Sequence, residues 1–211
     1  MIINKVKKYF TIAIIIIITG CSKEMNIQPL SKSSVIVAFG DSLTYGYGAK
    51  YSSDSYPKQL ESITGYTVIN AGLNGDTAEN GKNRIQSVIE EHAPDLVILS
   101  LGGNDMLRGQ YKNLESNLSI IVKYLLKENI QVVLLAEPRP NINFMIAGLS
   151  DDSVYEKVAE SYNIPLISGV FSKYLSNNQY KSDTIHLNTE GYGLVANDVA
   201  DELKSIGIIK Y

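Results

Sequence analysis

Cysteine occurs once in the 211 residues, at Cys21, so no disulfide can form within the chain. Histidine occurs twice, as His92 and His186, and with one cysteine this leaves no Cys/His cluster of the kind that binds zinc. We expect no metal and no other cofactor. Neither sign of charge dominates: 19 Lys and Arg stand against 22 Asp and Glu, a net charge of −3. A chain without a basic excess lacks the electrostatic footprint of a nucleic-acid binder. Long apolar runs are also scarce. The single one lies at the N-terminus, and Tyr9 to Ile18 is too short to span a bilayer comfortably as a permanent helix.

What surrounds that run gives it a meaning. Met1 to Lys8 is short and basic, with Lys5, Lys7 and Lys8, and small residues follow the isoleucines. A basic start, a short apolar stretch and small residues form a secretory signal. Its end, Ile18-Thr19-Gly20-Cys21, resembles a bacterial lipoprotein signal, in which cleavage precedes the cysteine and lipid is attached to it. Ile18 and Thr19 depart from the usual Leu and Ala or Ser of that pattern. The resemblance implies a signal over residues 1–20 and an exported protein held to a membrane through Cys21. Several acyl chains on one residue hold a protein firmly to a lipid surface. Ser22 next to the cysteine would favour the outer membrane in a cell with two. Residues 21–34 are polar, with Pro29 and several Ser and Lys, and read as a flexible tether.

From Val35 onward apolar runs alternate with helical patterns. Strands are expected at about Val35–Phe39, Tyr66–Asn70, Leu96–Leu101, Ile130–Ala136 and Pro165–Ile167. Helices are expected from Pro57 to Thr64 with Gly65 as the stop, Ala78 to His92, Leu114 to Glu128, Asp152 to Tyr162, and Thr189, as cap, to Ile206. Glu137 to Ser150 reads as a long loop and a possible substrate-lining segment, and the stretch between Ile167 and Asp183 as loop. Alternating strand and helix implies an α/β fold with three αβα layers and a five-stranded parallel sheet. The flavodoxin-like order is 2-1-3-4-5. Residues 35–211 then form one domain, and no feature of the sequence specifies an oligomer.

That strand order has a chemical consequence. It makes the loops after the first three strands neighbours at one rim, and those loops carry Ser42, Gly72–Asp76 and Asn104. Ser42 lies in Gly40-Asp41-Ser42-Leu43, just past a buried strand, and not in a G-x-S-x-G elbow, which excludes the α/β-hydrolase pattern. Ester cleavage by serine needs a hydroxyl, a base and donors aimed at the developing oxyanion. His92, in Glu90-Glu91-His92-Ala93-Pro94, is expected at the solvated end of a surface helix opposite the rim. His186, in Asp183-Thr184-Ile185-His186, is the remaining candidate base, and an aspartate three residues earlier can turn back to accept from its ring. Each piece has a plainer reading: Asp41 or Ser42 as a helix N-cap, Asp183–His186 as a helix-entry turn, and the Gly-rich loops as flexible connections.

Together, G-D-S-L, N-G-D-T, G-G-N-D and D-x-x-H, in this order over Val35 to about Ile209, resemble the SGNH, or GDSL, hydrolase family. Leu101-Gly102-Gly103-Asn104-Asp105-Met106-Leu107-Arg108-Gly109 is similar to its periplasmic thioesterase, arylesterase and lysophospholipase branch. The resemblance implies Ser42 as nucleophile, His186 as base and then acid, and Asp183 as the group orienting it. It implies an oxyanion hole of the Ser42 and Gly75 N–H groups and the Asn104 side chain. The substrate would be a small-molecule or lipid ester or thioester. The lipoprotein-like leader departs from that branch's soluble export. Two other functions fit the same scaffold: a carbohydrate acetyl esterase acting on cell-surface glycans, and a non-catalytic binding lipoprotein. Phe144, Met145, Ile146 and Leu149 favour acyl chains over sugars.

Overall fold

The computed structural model describes Met25, residues 27–140 and residues 148–210. The leader with Cys21, and Phe144, Met145 and Ile146, lie outside the described residues.

The five strands are β1 (Val35–Gly40), β2 (Thr67–Gly72), β3 (Leu96–Ser100), β4 (Gln131–Leu135) and β5 (Leu166–Ile167), all paired parallel in the order β2-β1-β3-β4-β5. The expected order and architecture are both present. β1 and β3 read as unbroken apolar runs because both sheet faces are covered. Alternate residues supply two separate cores. Ile36, Ala38, Leu96, Ile98, Val133 and Leu135 face the helices Tyr56–Thr64, Val170–Leu175 and Thr189–Ser205. Val37, Phe39, Val97, Leu99, Val132 and Leu134 face Ala78–His92, Leu114–Lys127 and Val154–Tyr162.

Register sets the site. Gly40 at the end of β1 lies beside Gly72 of β2 and Ser100 of β3. The three chains therefore leave the sheet at one level, and the loops carrying Ser42, Gly75 and Asn104 start side by side. Thr77 opens the helix Ala78–His92 through a capping box with Asn80, accepting from its backbone N–H and donating its own backbone N–H to the Asn80 side chain. Gly65, in the left-handed conformation, closes the helix Tyr56–Thr64.

Several expectations need correction. β2 runs two residues further than expected, because Gly72 pairs with Gly40. A helix, Val170–Leu175, occupies part of the stretch expected as loop, and it buries Val170, Phe171 and Leu175. Single turns of helix follow β1 (Ser42–Tyr45) and β3 (Gly103–Leu107), both too short to leave a periodic pattern. Asn188, not Thr189, caps the last helix, accepting from Gly191 N–H. The Thr189 hydroxyl instead donates to Asp54. His92 is half-buried rather than solvated, at the helix end remote from the rim.

The segment expected as tether is partly docked. Leu30 is buried and its N–H donates to Ile208 O at 2.7 Å. Gln28 and Gln131 exchange hydrogen bonds of 2.8 and 2.9 Å, Gln28 N–H to Gln131 Oε1 and Gln131 Nε2 to Gln28 O. The Lys32 ammonium donates to Thr64 O and lies over the Tyr66 ring. Gln131 begins β4, so this docking lies at the end of the sheet opposite the rim.

Candidate active site

Ser42 opens its helical turn directly after β1, and Asp41 fixes the turn by accepting Leu43 N–H at 2.9 Å. Ser42 Oγ lies 3.0 Å from His186 Nε2, although 144 residues separate them. His186 Nδ1 lies 2.7 Å from Asp183 Oδ2. The other carboxylate oxygen, Oδ1, accepts the backbone N–H groups of Ile185 and His186, both at 2.9 Å. Partial burial opposes ionisation of Asp183, but the hydrogen bonds from the His186 ring and from these two N–H groups together outweigh it. Its pKa lies below the ordinary carboxylate value. An ionised Asp183 holds the proton on Nδ1, which leaves the Nε2 lone pair facing the serine hydroxyl. The Tyr47 ring packs against the imidazole with centroids 4.5 Å apart. The expected serine, histidine and aspartate thus form one continuous chain of contacts.

The second half of the site hangs from β2 and β3. Gly75 has φ +79°, a left-handed conformation that side chains resist, and its turn brings it to the pocket wall. The turn is anchored from behind. Arg84 donates from Nε to Asp76 Oδ2 at 2.6 Å and from a terminal nitrogen to Gly40 O at 2.9 Å, with its guanidinium over the Phe39 ring. Arg108 donates to Gly75 O at 3.0 Å. Asn104 Nδ2 lies 2.9 Å from both Asp41 Oδ2 and Asp76 O. An amide nitrogen has two hydrogens, so both are engaged, and this group must share or release one to meet an oxyanion.

Sequence reasoning did not single out Glu137 or Arg84, and it read Asp41 only as a cap. Glu137 is fully buried, and Asp41 nearly so. Burial first, and then the charge of Asp41, push the Glu137 carboxyl well above its ordinary range. Burial, opposed by the bonds from Leu43 and Asn104, raises Asp41 to about 7. One signal was available: Glu137 directly follows an apolar strand, where an acid has no water to meet.

A cavity of about 490 Å³ opens at this point. Ser42, Gly75, Asn104 and His186 line it, and Leu43, Leu107, Pro138, Leu149, Leu175 and Ile185 give it an apolar wall.

Residues 38–194 match the model of the GDSL-like lipase/acylhydrolase family. The chain belongs to that family. An arylesterase of Vibrio mimicus is 31% identical over 179 residues, covering 81% of this chain and 88% of its own. Thioesterase 1/protease 1/lysophospholipase L1 of Escherichia coli K12 is 28% identical over 180 residues, covering 82% and 85%. Among solved structures, AlinE4, an SGNH-hydrolase family esterase, superposes with a TM-score of 0.63 at 29% identity, covering 84% of this chain and 98% of its own. As a member of the family this protein is a hydrolase acting on ester bonds.

Proposed function

We propose that this hydrolase works by two-step acyl transfer, with Ser42 as nucleophile, His186 as base and then acid, and Asp183 as the orienting carboxylate. The observation that carries this reading is the contact chain Ser42–His186–Asp183, at 3.0 and 2.7 Å. His186 takes the hydroxyl proton as Ser42 attacks the ester or thioester carbonyl. The carbonyl oxygen becomes an oxyanion held by the N–H groups of Ser42 and Gly75 and by the Asn104 amide. The imidazolium gives its proton to the departing alcohol or thiol. Water then cleaves the acyl-enzyme by the same path.

The apolar wall of the cavity supports a substrate with a hydrocarbon acyl group, as in aryl, thio- or lysophospholipid esters, over an acetylated sugar. Hydrolysis of p-nitrophenyl esters of increasing chain length by the full chain and by Ser42→Ala tests this. Wild-type turnover that vanishes in the variant and improves with chain length bears the reading out. Turnover by Ser42→Ala at the wild-type rate overturns the nucleophile. A clear preference for acetylated glycans replaces the acyl substrate with a sugar, and failure of Ser42 to react with an organofluorophosphonate leaves a binding lipoprotein.

We also propose export and lipid attachment at Cys21. The chain from Cys21 to Gln28 spans at most roughly 25 Å when extended, and Gln28 is docked at the end of the sheet opposite the rim. In this arrangement Ser42 faces away from the anchoring bilayer. Mass spectrometry of the mature N-terminus, and loss of membrane fractionation in Cys21→Ser, are the expected results.

A further inference from the structure

Glu137 has no place in the proton path, yet its carboxylate is fully buried directly behind the Asn104 turn. Both of its oxygens are used. Oε1 accepts from Ser100 Oγ at 2.9 Å, at the last residue of β3, and Oε2 accepts Gly103 N–H, at the first residue of the turn Gly103–Leu107. Gly103 is compressed between two acids: a Cβ there would meet Glu137 Oε2 at 2.6 Å and Asp41 Oδ2 at 3.4 Å. Asp41 in turn holds the Asn104 amide. The strand end, the turn and the amide are thus fixed by two side chains from neighbouring segments.

We propose that Glu137 is a positioning residue for the oxyanion hole, fixing the Gly103–Asn104 peptide from behind so that the Asn104 amide, on sharing or releasing one of its two hydrogen bonds, meets the developing oxyanion. The proposal rests on the hydrolase reading above and deepens it. On this proposal the side chain works without its charge. A second full negative charge beside Asp41 would face the developing oxyanion and oppose it, whereas a neutral acid keeps both hydrogen bonds. Burial and the Asp41 charge favour that neutral form. A neutral isostere should then replace it, whereas an apolar residue of similar size should not.

The test uses the full chain with Glu137→Gln, Glu137→Leu and Glu137→Asp, assayed with p-nitrophenyl butyrate and checked for a cooperative thermal transition. Glu137→Gln is expected to keep kcat within about threefold. Glu137→Leu is expected to lower kcat roughly 10–100-fold with KM little changed, since misaiming a donor weakens only what is bound in the transition state. If the leucine variant does not fold, Glu137→Asp, too short to reach both Ser100 and Gly103, is expected to show the same split. A wild-type kcat in the leucine or aspartate variant overturns the proposal, as does a glutamine variant as slow as leucine. A second readout needs no turnover. The Asn104 side-chain amide resonances, identified by their loss in Asn104→Asp, should shift in Glu137→Leu, or in Glu137→Asp if leucine does not fold, and stay in place in Glu137→Gln. Were the wild type to cleave no ester, the hydrolase reading would fall while these resonances still decided whether Glu137 sets the amide. Unmoved resonances in the variant tested would overturn the proposal.

Discussion

Asp183 and the pair formed by Asp41 and Glu137 lie on two sides of Ser42, the proposed nucleophile, in opposite environments. Asp183 sits on an exposed turn, with its side chain 44% accessible, and three hydrogen bonds keep it ionised. Asp41 and Glu137 are buried beneath the rim, and their carboxyls are pushed up. An exposed carboxylate can act as a charge because solvent and local donors support it. Buried ones act as fixed acceptors, and burial pushes them toward their protonated forms. In the proposed mechanism the pocket therefore has an ionised side that orients the base and a side of raised, buried carboxyls that frames the oxyanion.

The largest expected effect removes the reacting atom that both sides serve. Ser42→Ala should lower kcat by roughly 10⁴-fold or more in an ester assay. On the charged side, Asp183→Asn lets Nδ1 face a donor and disfavours the productive tautomer. Its kcat should fall by up to roughly 10⁴-fold, less if solvent partly replaces the carboxylate. On the neutral side, Asn104→Ala should cost about 10²–10³-fold in kcat with KM nearly unchanged. An unchanged rate would remove Asn104 from the oxyanion hole and leave the contact chain of Ser42 standing. Behind that side, Arg84→Ala leaves the mostly buried Asp76 carboxylate without its partner. Urea unfolding should show a loss of about 3 kcal/mol.

The smallest effect is the sharpest test of the contrast, because the two sides have opposite signs. Asp183 has a lowered native pKa, so the native state binds fewer protons than the unfolded chain in mild acid. Its contribution is present above the ordinary carboxylate range and is lost as pH falls through the native value. Asp41, raised from 3.8 to about 7, does the reverse. Between those values the native state holds the extra proton, so its contribution declines as pH rises through that window. Glu137, and Asp105, which burial also raises, add to the same decline. Melting temperatures from pH 5 to 8.5 should therefore fall toward the alkaline side, and the fall should be shallower in Glu137→Gln. A steeper fall in that variant would contradict the assignment of a neutral Glu137.

Much of the fold was legible because its cause is local. Continuous apolar runs such as Leu96–Leu99 announce strands covered on both faces, and Ile85, Val88 and Ile89 at helical spacing mark Ala78–His92. The short turns at Ser42 and Gly103 and the helix Val170–Leu175 were not legible. A single turn has no period to detect, and the last is decided by burial of Phe171 in the core. The burial of Asp41 and Glu137 escaped notice for a related reason. An acid in a sequence is ordinarily a solvated acid, and only packing reveals one without water.

Sequence alone offered the candidate groups and their order: a serine past a buried strand, one histidine suited to be its base, an aspartate three residues before it, and glycines where the backbone must turn. Those are covalent facts of spacing and side-chain type. Tertiary structure decided which groups carry charge and which atoms meet. The 3.0 Å contact across 144 residues and the raised carboxyls of the buried acids depend on sheet register and burial, and neither is encoded within any single stretch of the chain.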